Sequence, residues 1–376
     1  MSRDLTSLRA ELDALDKTLL ECAARRNAII RDIAASKASE GRPLFDRMRE
    51  REVYEKTEQL AQTLGLPASI ARALMGVLIE SSHQIQEQAS REFALSAPDG
   101  HQSFTIVGGQ GQMGQLIGDA LQARGHQVTA LERDDEPATH SAIGASDIIV
   151  LAVPMEIATH MAEQLGPRIR ADALLCDINS LKSDICDAFA RTCAGEALGL
   201  HPMFGPSVHS LRRQKVVACP VQPGPKTTWL LGELGRMGME IIESTPEQHD
   251  RMMAVIQVLV HYATIVMGEA LRRTGLSVNE SLRFTSPIYR LELAFIGRLF
   301  TQSPELYAEI EMANPHGPDV RKDFLEAAKD VNTLISEGNR DAFTALFDSV
   351  STYFDDFGTE AMELSDFIIE SLCTRP

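Results

Sequence analysis

Positive charge is what this sequence lacks most. Its 36 Lys+Arg stand against 53 Asp+Glu, a formal net charge of -17. That balance argues against nucleic acid or an anionic membrane as a partner. It also makes any cluster of cations informative. Paired cysteine motifs are missing too. The six cysteines, Cys22, Cys176, Cys186, Cys193, Cys219 and Cys373, form no Cys-x-x-Cys and no zinc spacing, which points to free thiols in a reducing compartment and to no metal site. No run approaches the ~20 apolar residues of a membrane span. The start, Met-Ser-Arg-Asp, has no apolar signal core. A soluble, cytoplasmic protein is expected, with no membrane partner.

What is present is enough for several cores. A chain of 376 residues, 44% of them hydrophobic, implies two or three domains. Charge is unevenly spread. Residues 1–100 hold 14 Lys+Arg against 16 Asp+Glu, whereas residues 245–376 hold 11 against 21.

Neither Gly nor Pro occurs from Asp4 to Glu40, and Leu5, Leu8, Leu12, Leu15, Leu19, Ile29, Ile30 and Ile33 recur at helical spacing. One helix over 4–39, ~50 Å long, is predicted. A second runs to about Leu64, and a third runs from Pro67 to about Arg91. Two shorter helices cannot cover so long an apolar stripe, so a second copy or another domain must. On periodicity alone this block reads equally well as a dimerisation module. Spacing adds chemistry. Arg26 and Lys37 are eleven residues apart and share a face, their backbones ~16 Å apart. Asp46 and Glu50, and Ser82 and Gln86, are i, i+4 pairs that present two polar groups to one side. Arg9 lies ~42 Å from Lys37 along the helix and reaches the same place only from an antiparallel partner.

Leu8-Arg9, Arg25-Arg26, Lys37, Asp46, Arg49-Glu50 and Ser81-Ser82 with Gln86 resemble the all-helical chorismate mutase family. The resemblance implies an intertwined dimer that rearranges chorismate to prephenate. It implies Arg26, Lys37 and a partner's Arg9 on the carboxylates and ether oxygen, with Gln86 sharing the ether contact. It puts Glu50 on the substrate hydroxyl, with Asp46 and Ser82 completing the site.

Ser96 to Gln102 is a polar break and is taken as a linker. Phe104–Val107 then reads as a strand running into Gly109-Gln110-Gly111-Gln112-Met113-Gly114 and a helix. A second strand follows and ends at Glu132, 23 residues after Gly109. Strand, glycine pattern, helix and acidic residue together make the dinucleotide fingerprint. Gly109 makes the turn, Gly111 admits the pyrophosphate, and Gly114 lets helix pack on strand. Glu132 favours NAD over NADP, although Arg133 beside it leaves room for a 2′-phosphate.

Apolar strands at 147–153, 174–177, 198–200, 216–219 and 240–242 argue for a parallel sheet covered on both faces. Ligands bind beyond the carboxyl ends of such strands, which places Val153-Pro154, Ser180 and His201 beside the cofactor. His201 sits in Leu200-His-Pro-Met-Phe-Gly-Pro206, read as a stiffened loop. Gly108–Gly114, Ser180–Lys182 and Leu198–Pro206 resemble prephenate dehydrogenase. Mutase first and dehydrogenase second resembles the bifunctional T-protein family of tyrosine biosynthesis, over essentially the whole chain.

In the last segment Gln257 and His261 are four apart. Arg290 and Arg298 are two turns apart, offset by ~80°, a pair that in isolation reads as surface or salt-bridged. The resemblance implies a helical dimerisation domain here. Arg298 would clamp the prephenate ring carboxylate and Arg290 support it, while Gln257, His261, Tyr307 and Lys182 would complete substrate binding. It makes His201 the base and gives Ser180 a role beside it.

The expected architecture is therefore multidomain. An all-α three-helix unit (1–95) and a linker (96–102) precede an α/β Rossmann-type dinucleotide-binding domain (103–244). An all-α dimerisation and substrate-binding domain (245–376) follows. The expected function is chorismate to prephenate, then prephenate plus NAD to 4-hydroxyphenylpyruvate, CO2 and NADH, in a homodimer inhibited by tyrosine.

Overall fold

The computed structural model describes residues 4–39, 47–96, 100–132, 136–208 and 210–373. Asp46 and Arg133 lie outside them. Three helices come first: α1 (Leu5–Ser39), α2 (Arg47–Leu64) and α3 (Ala68–Ser96). The missing Gly and Pro let α1 run uninterrupted. It packs on α3, which also carries α2. Its leucine stripe is left outside, with Leu19 65% exposed. α3 continues past Arg91 into the stretch read as linker.

A seven-stranded sheet follows, with elements in the order β1 (Ser103–Val107), α4 (Gln112–Gln122), β2 (Gln127–Leu131), α5 (Glu136–Ala145), β3 (Ile148–Leu151), α6 (Met155–Leu165), β4 (Leu174–Asp177), α7 (Ser183–Thr192), β5 (Glu196–Pro202), β6 (Lys215–Gln222), α8 (Pro225–Arg236) and β7 (Glu240–Glu243). Strand order is β2-β1-β3-β4-β5-β6-β7. All seven expected strands form. The first five are parallel, and the order reverses at β1/β3, the switch point where α/β sheets bind ligands.

The all-parallel expectation fails at one place. β6 runs antiparallel to β5, with His201 opposite Val217. Residues 203–214 join the two strands, and no helix lies among the described ones. A parallel return needs a crossover of a dozen or more residues, usually helical, whereas an antiparallel one does not. The same pairing extends β5 through Pro202, so His201 sits in the strand rather than in the loop expected for it. Two cores flank the sheet. Val107, Ile149, Leu151, Leu175 and Phe189 lie on one side, and Phe104, Ile106, Leu174, Leu198 and Leu230 on the other.

The rest is helical: α9 (Pro246–Met253), a π-helical segment (Ala254–Leu259), α10 (Val260–Arg273), α11 (Val278–Leu282), α12 (Pro287–Phe300), α13 (Pro304–Ala313), α14 (Gly317–Ser336), α15 (Arg340–Phe354) and α16 (Phe357–Cys373). Thr245, Ser286 and Ser303 each cap a helix whose next residue is proline, and each side chain accepts a first-turn amide. α9, the π segment and α10 join into one run, Pro246–Arg273, with a mean hydropathy of 1.6 in its most apolar window. By length and composition that run is long and apolar enough to cross a membrane, which the sequence pattern did not show. Its polar residues Asp250, Gln257 and His261 all point to the site described next, and α14 packs along it.

Candidate active sites

The first site begins where β1 stops. Gly108 turns the chain left-handed (φ 82°), and a Cβ there would strike the Ala152 carbonyl at the end of β3. A Cβ on Gly109 would lie 2.6 Å from that of Ala130. Gly111 caps α4 without a side-chain hydrogen bond, so the amides that open the helix at Gln112, Met113 and Gly114 are left for an external anion. Glu132, at the end of β2, accepts the Gln110 amide at 2.7 Å and fastens the glycine loop to the second strand. Val153 accepts from Asn179 Nδ2 at 2.7 Å, and Pro154 caps α6. Bare helix terminus, glycine-rich loop and strand-end carboxylate together match a pyrophosphate and a ribose diol.

His201 lies along the same edge, 3% exposed. Its Nδ1 is 2.8 Å from His249 Nε2, and His249 Nδ1 is 2.8 Å from Asp250 Oδ1. Asp250 also accepts the amides of Lys182 (2.8 Å) and Ser183 (2.9 Å). Burial would raise the Asp250 carboxyl, but hydrogen bonds from His249 and residues 182–183 outweigh it and hold the group low. An ionised Asp250 only accepts, so it fixes the rest of the chain. His249 carries its proton on Nδ1, accepts at Nε2 from the His201 Nδ1–H, and leaves His201 Nε2 as a lone pair. Burial, then the neighbouring His249 and Lys182, push His201 well below the usual imidazole range. The outcome is a neutral, oriented base.

Gln257 Nε2 donates to that lone pair at 3.3 Å. Gln257 lies in the π segment, a distortion often found at functional sites. Among the described residues its Oε1 and His261 Nδ1 are buried without hydrogen-bond partners. The His261 ring stands edge-on to Tyr307, centroids 4.9 Å apart. Burial lowers His261 and raises Tyr307, the latter against the charge of Arg298. Arg298 Nη2 donates to Ser207 Oγ at 3.1 Å, reaching from α12 to the segment after His201. Arg290 is exposed on the same helix, and Ser180 is half-buried after β4.

Lys182 departs from expectation. It is completely buried and its ammonium pairs with Asp177, so it cannot touch a substrate. Burial pushes Asp177 up while Lys182 pulls it back. Gly199 makes room, since a Cβ there would lie 3.0 Å from Lys182 Cδ. The pair braces the turn that presents Ser180.

The second site lies in the first three helices. Arg26 Nη1 donates to the Leu78 carbonyl at 2.6 Å and to Ser82 Oγ. Burial lowers its pKa. Ser82 and Gln86 are buried one turn apart on α3. Glu50, on α2, accepts from His83 Nε2 at 2.9 Å. Lys37 is half-buried in the last turn of α1, and Arg9 is exposed near its start, far from the others in this chain.

Sequence reasoning missed His249, Asp250, Ser207, Asn314 and His83. Asn314 is buried and donates to the Asp250 carbonyl at 2.9 Å. The adjacent His249-Asp250 pair was visible, but only as the start of a helix.

Three family models match the chain in series: chorismate mutase type II over residues 8–87, the prephenate dehydrogenase nucleotide-binding domain over 111–231 and the prephenate dehydrogenase dimerization domain over 245–349. The T-protein of Enterobacter agglomerans is 31% identical over 371 residues, 99% of this chain and 97% of that protein. The chain belongs to the T-protein family. It joins a mutase module to a dehydrogenase module. The T-protein of Haemophilus influenzae is 30% identical over 366 residues, covering 97% of this chain and 96% of the relative. Among solved structures, the prephenate dehydrogenase of A. aeolicus, in complex with hydroxyphenyl propionate and NAD+, matches with a TM-score of 0.53 at 19% identity. It covers 71% of this chain and 100% of that one, a likeness of fold.

Proposed function

We propose that this chain rearranges chorismate to prephenate among α1, α2 and α3, and oxidises prephenate to 4-hydroxyphenylpyruvate and CO2 between the sheet domain (103–244) and the helices after residue 245. The observation that carries the second half is the Asp250–His249–His201 chain, which leaves one lone pair, on His201 Nε2, at the carboxyl edge of the sheet. The prephenate C4 hydroxyl takes the position from which Gln257 now donates, and its proton passes to Nε2. Gly109–Gly114 and Glu132 would hold NAD, which would supply the hydride acceptor for C4. The C1–carboxylate bond then breaks, its electron pair enters the ring, and the ring becomes aromatic. Arg298 orients that carboxylate without protonating it. His261 and Tyr307 line the side-chain end and Gln257 the hydroxyl end, with Arg290 in support.

In the mutase no bond to the protein forms. Arg26, Lys37 and a partner's Arg9 hold the two carboxylates and the ether oxygen, Gln86 shares the ether contact, and Glu50 receives the hydroxyl beside Ser82 and Asp46. The exposed leucines of α1 and the apolar helices after residue 245 are covered by a second copy, making a cytoplasmic homodimer. Tyrosine, which shares ring and carboxylate with the product, inhibits the dehydrogenase.

Two measurements test this. Chorismate and NAD are mixed with the protein, with no prephenate added. A rise in NADH absorbance is expected, because one module uses what the other makes; chorismate consumption without NADH would remove the dehydrogenase assignment. The pH profile tests the base. An ordinary imidazole protonates near pH ~6.5. His201 is held below that value, so the neutral form persists and kcat/KM for prephenate stays flat as pH falls through that point. A loss centred there would show a solvated histidine instead.

A further inference from the structure

Glu50 is gripped from both modules. Its Oε1 accepts from His83 at 2.9 Å and from Arg212 Nη2 at 3.0 Å, and its Oε2 pairs with Arg213. Both arginines lie on residues 203–214, between β5 and β6 of the dehydrogenase module. Arg212 also donates through Nη1 to His83 Nδ1. His83 therefore carries its proton on Nε2, toward Glu50. Burial and the charge of Arg212 both push His83 down, which keeps it neutral.

The arginines are built into place. Arg213 is left-handed (φ 60°), which residues with a Cβ seldom adopt and which clusters at functional positions. Its amide donates to the Gly238 carbonyl at 2.8 Å. A Cβ on Gly238 would come within 3.3 Å of Arg212 Cγ. The Arg212 amide is fixed by Ser210 Oγ at 3.1 Å. Side-chain exposure is 7% for Arg212 and 14% for Glu50, so their pair is not the solvated surface kind that contributes little. A carboxylate has about four acceptor sites. Among the described residues three are taken, and one remains for a ligand.

We propose that Arg212, together with His83, is a positioning residue of the mutase: anchored in the dehydrogenase module, it aims the free lone pair of Glu50 at the chorismate hydroxyl. The proposal rests on the reading of Glu50 given above. The rearrangement thus depends on a segment that also carries Ser207, the partner of Arg298 in the other site.

The test uses the full chain with Arg212→Gln and Arg212→Lys, assayed on chorismate and on chorismate lacking the C4 hydroxyl. Loss of a hydrogen bond to a charged group corresponds to about a tenfold fall in mutase kcat/KM. That fall is expected on chorismate, mainly in KM, because the hydroxyl contact exists in ground and transition states alike. The deoxy substrate should be turned over as by the parent. Lys, which keeps the charge but not the double donation, should recover part of the loss. Dehydrogenase rate on supplied prephenate reports that the module carrying Arg212 is folded; if Gln disturbs it, Lys carries the same comparison. Unchanged chorismate kinetics, or equal losses on both substrates, overturn the proposal. Glu50→Ala separates the two readings. If it leaves the mutase intact, the role of Glu50 fails. If it cuts the mutase while Arg212→Gln does not, only the role of Arg212 fails.

Discussion

Replacing His201 with Asn is expected to abolish NADH formation from prephenate while chorismate consumption continues. A positioned general base contributes roughly 10²–10⁴-fold, and here no second base meets the same proton. Asp250 and His249 direct all the acceptor capacity of their chain to His201 Nε2. An asparagine at 201 keeps an N–H for His249 Nε2, so the buried chain stays satisfied and the fold is preserved. It has no lone pair basic enough to take a hydroxyl proton. The measurement is NADH absorbance on supplied prephenate beside chorismate disappearance in the same preparation. Loss of both activities would mean that the sites are not separate.

The complementary result is expected from Arg26→Lys: the mutase falls about 10²–10³-fold and the dehydrogenase is unaffected. Arg26 gives Nη1 to Leu78 O and Ser82 Oγ. That leaves Nε and Nη2 as a fork for a carboxylate, a geometry that lysine cannot offer even though it keeps the charge. Lysine also has too few directed donors to hold α3 and substrate at once. Chorismate kinetics decide the matter, and a variant within threefold of the parent would show that the guanidinium supplies charge alone.

Much of this was legible because it is local. The glycine spacing from Gly109 to Gly114, with an acid at the end of the next strand, announces its own fold. Ser-Pro and Thr-Pro steps mark three helix starts, and the unbroken stretch from Asp4 explains α1. What stayed hidden depends on chain segments meeting. His201 and His249 are 48 residues apart and give no joint signal. The π segment that turns Gln257 toward His201 leaves no mark in an apolar run. Lys182 was given to the substrate on the resemblance alone; its partner Asp177 was counted only as the end of the preceding strand. The direction of β6 was within reach of sequence reasoning, since no helical pattern was read between it and β5.

The exposed leucines of α1 and the apolar run Pro246–Arg273 have a consequence for symmetry. A chain with two self-complementary faces closes into a finite pair only if a single two-fold axis serves both. If each face recruited a different copy, two two-fold axes would operate, giving a closed tetramer where they cross at right angles and an open string where they do not meet. The seating of Glu50 on Arg212 and Arg213 ties the helices that carry one face to the module that carries the other. The contact proposed to aim a carboxylate is therefore also placed to bear on whether the protein forms pairs or larger assemblies.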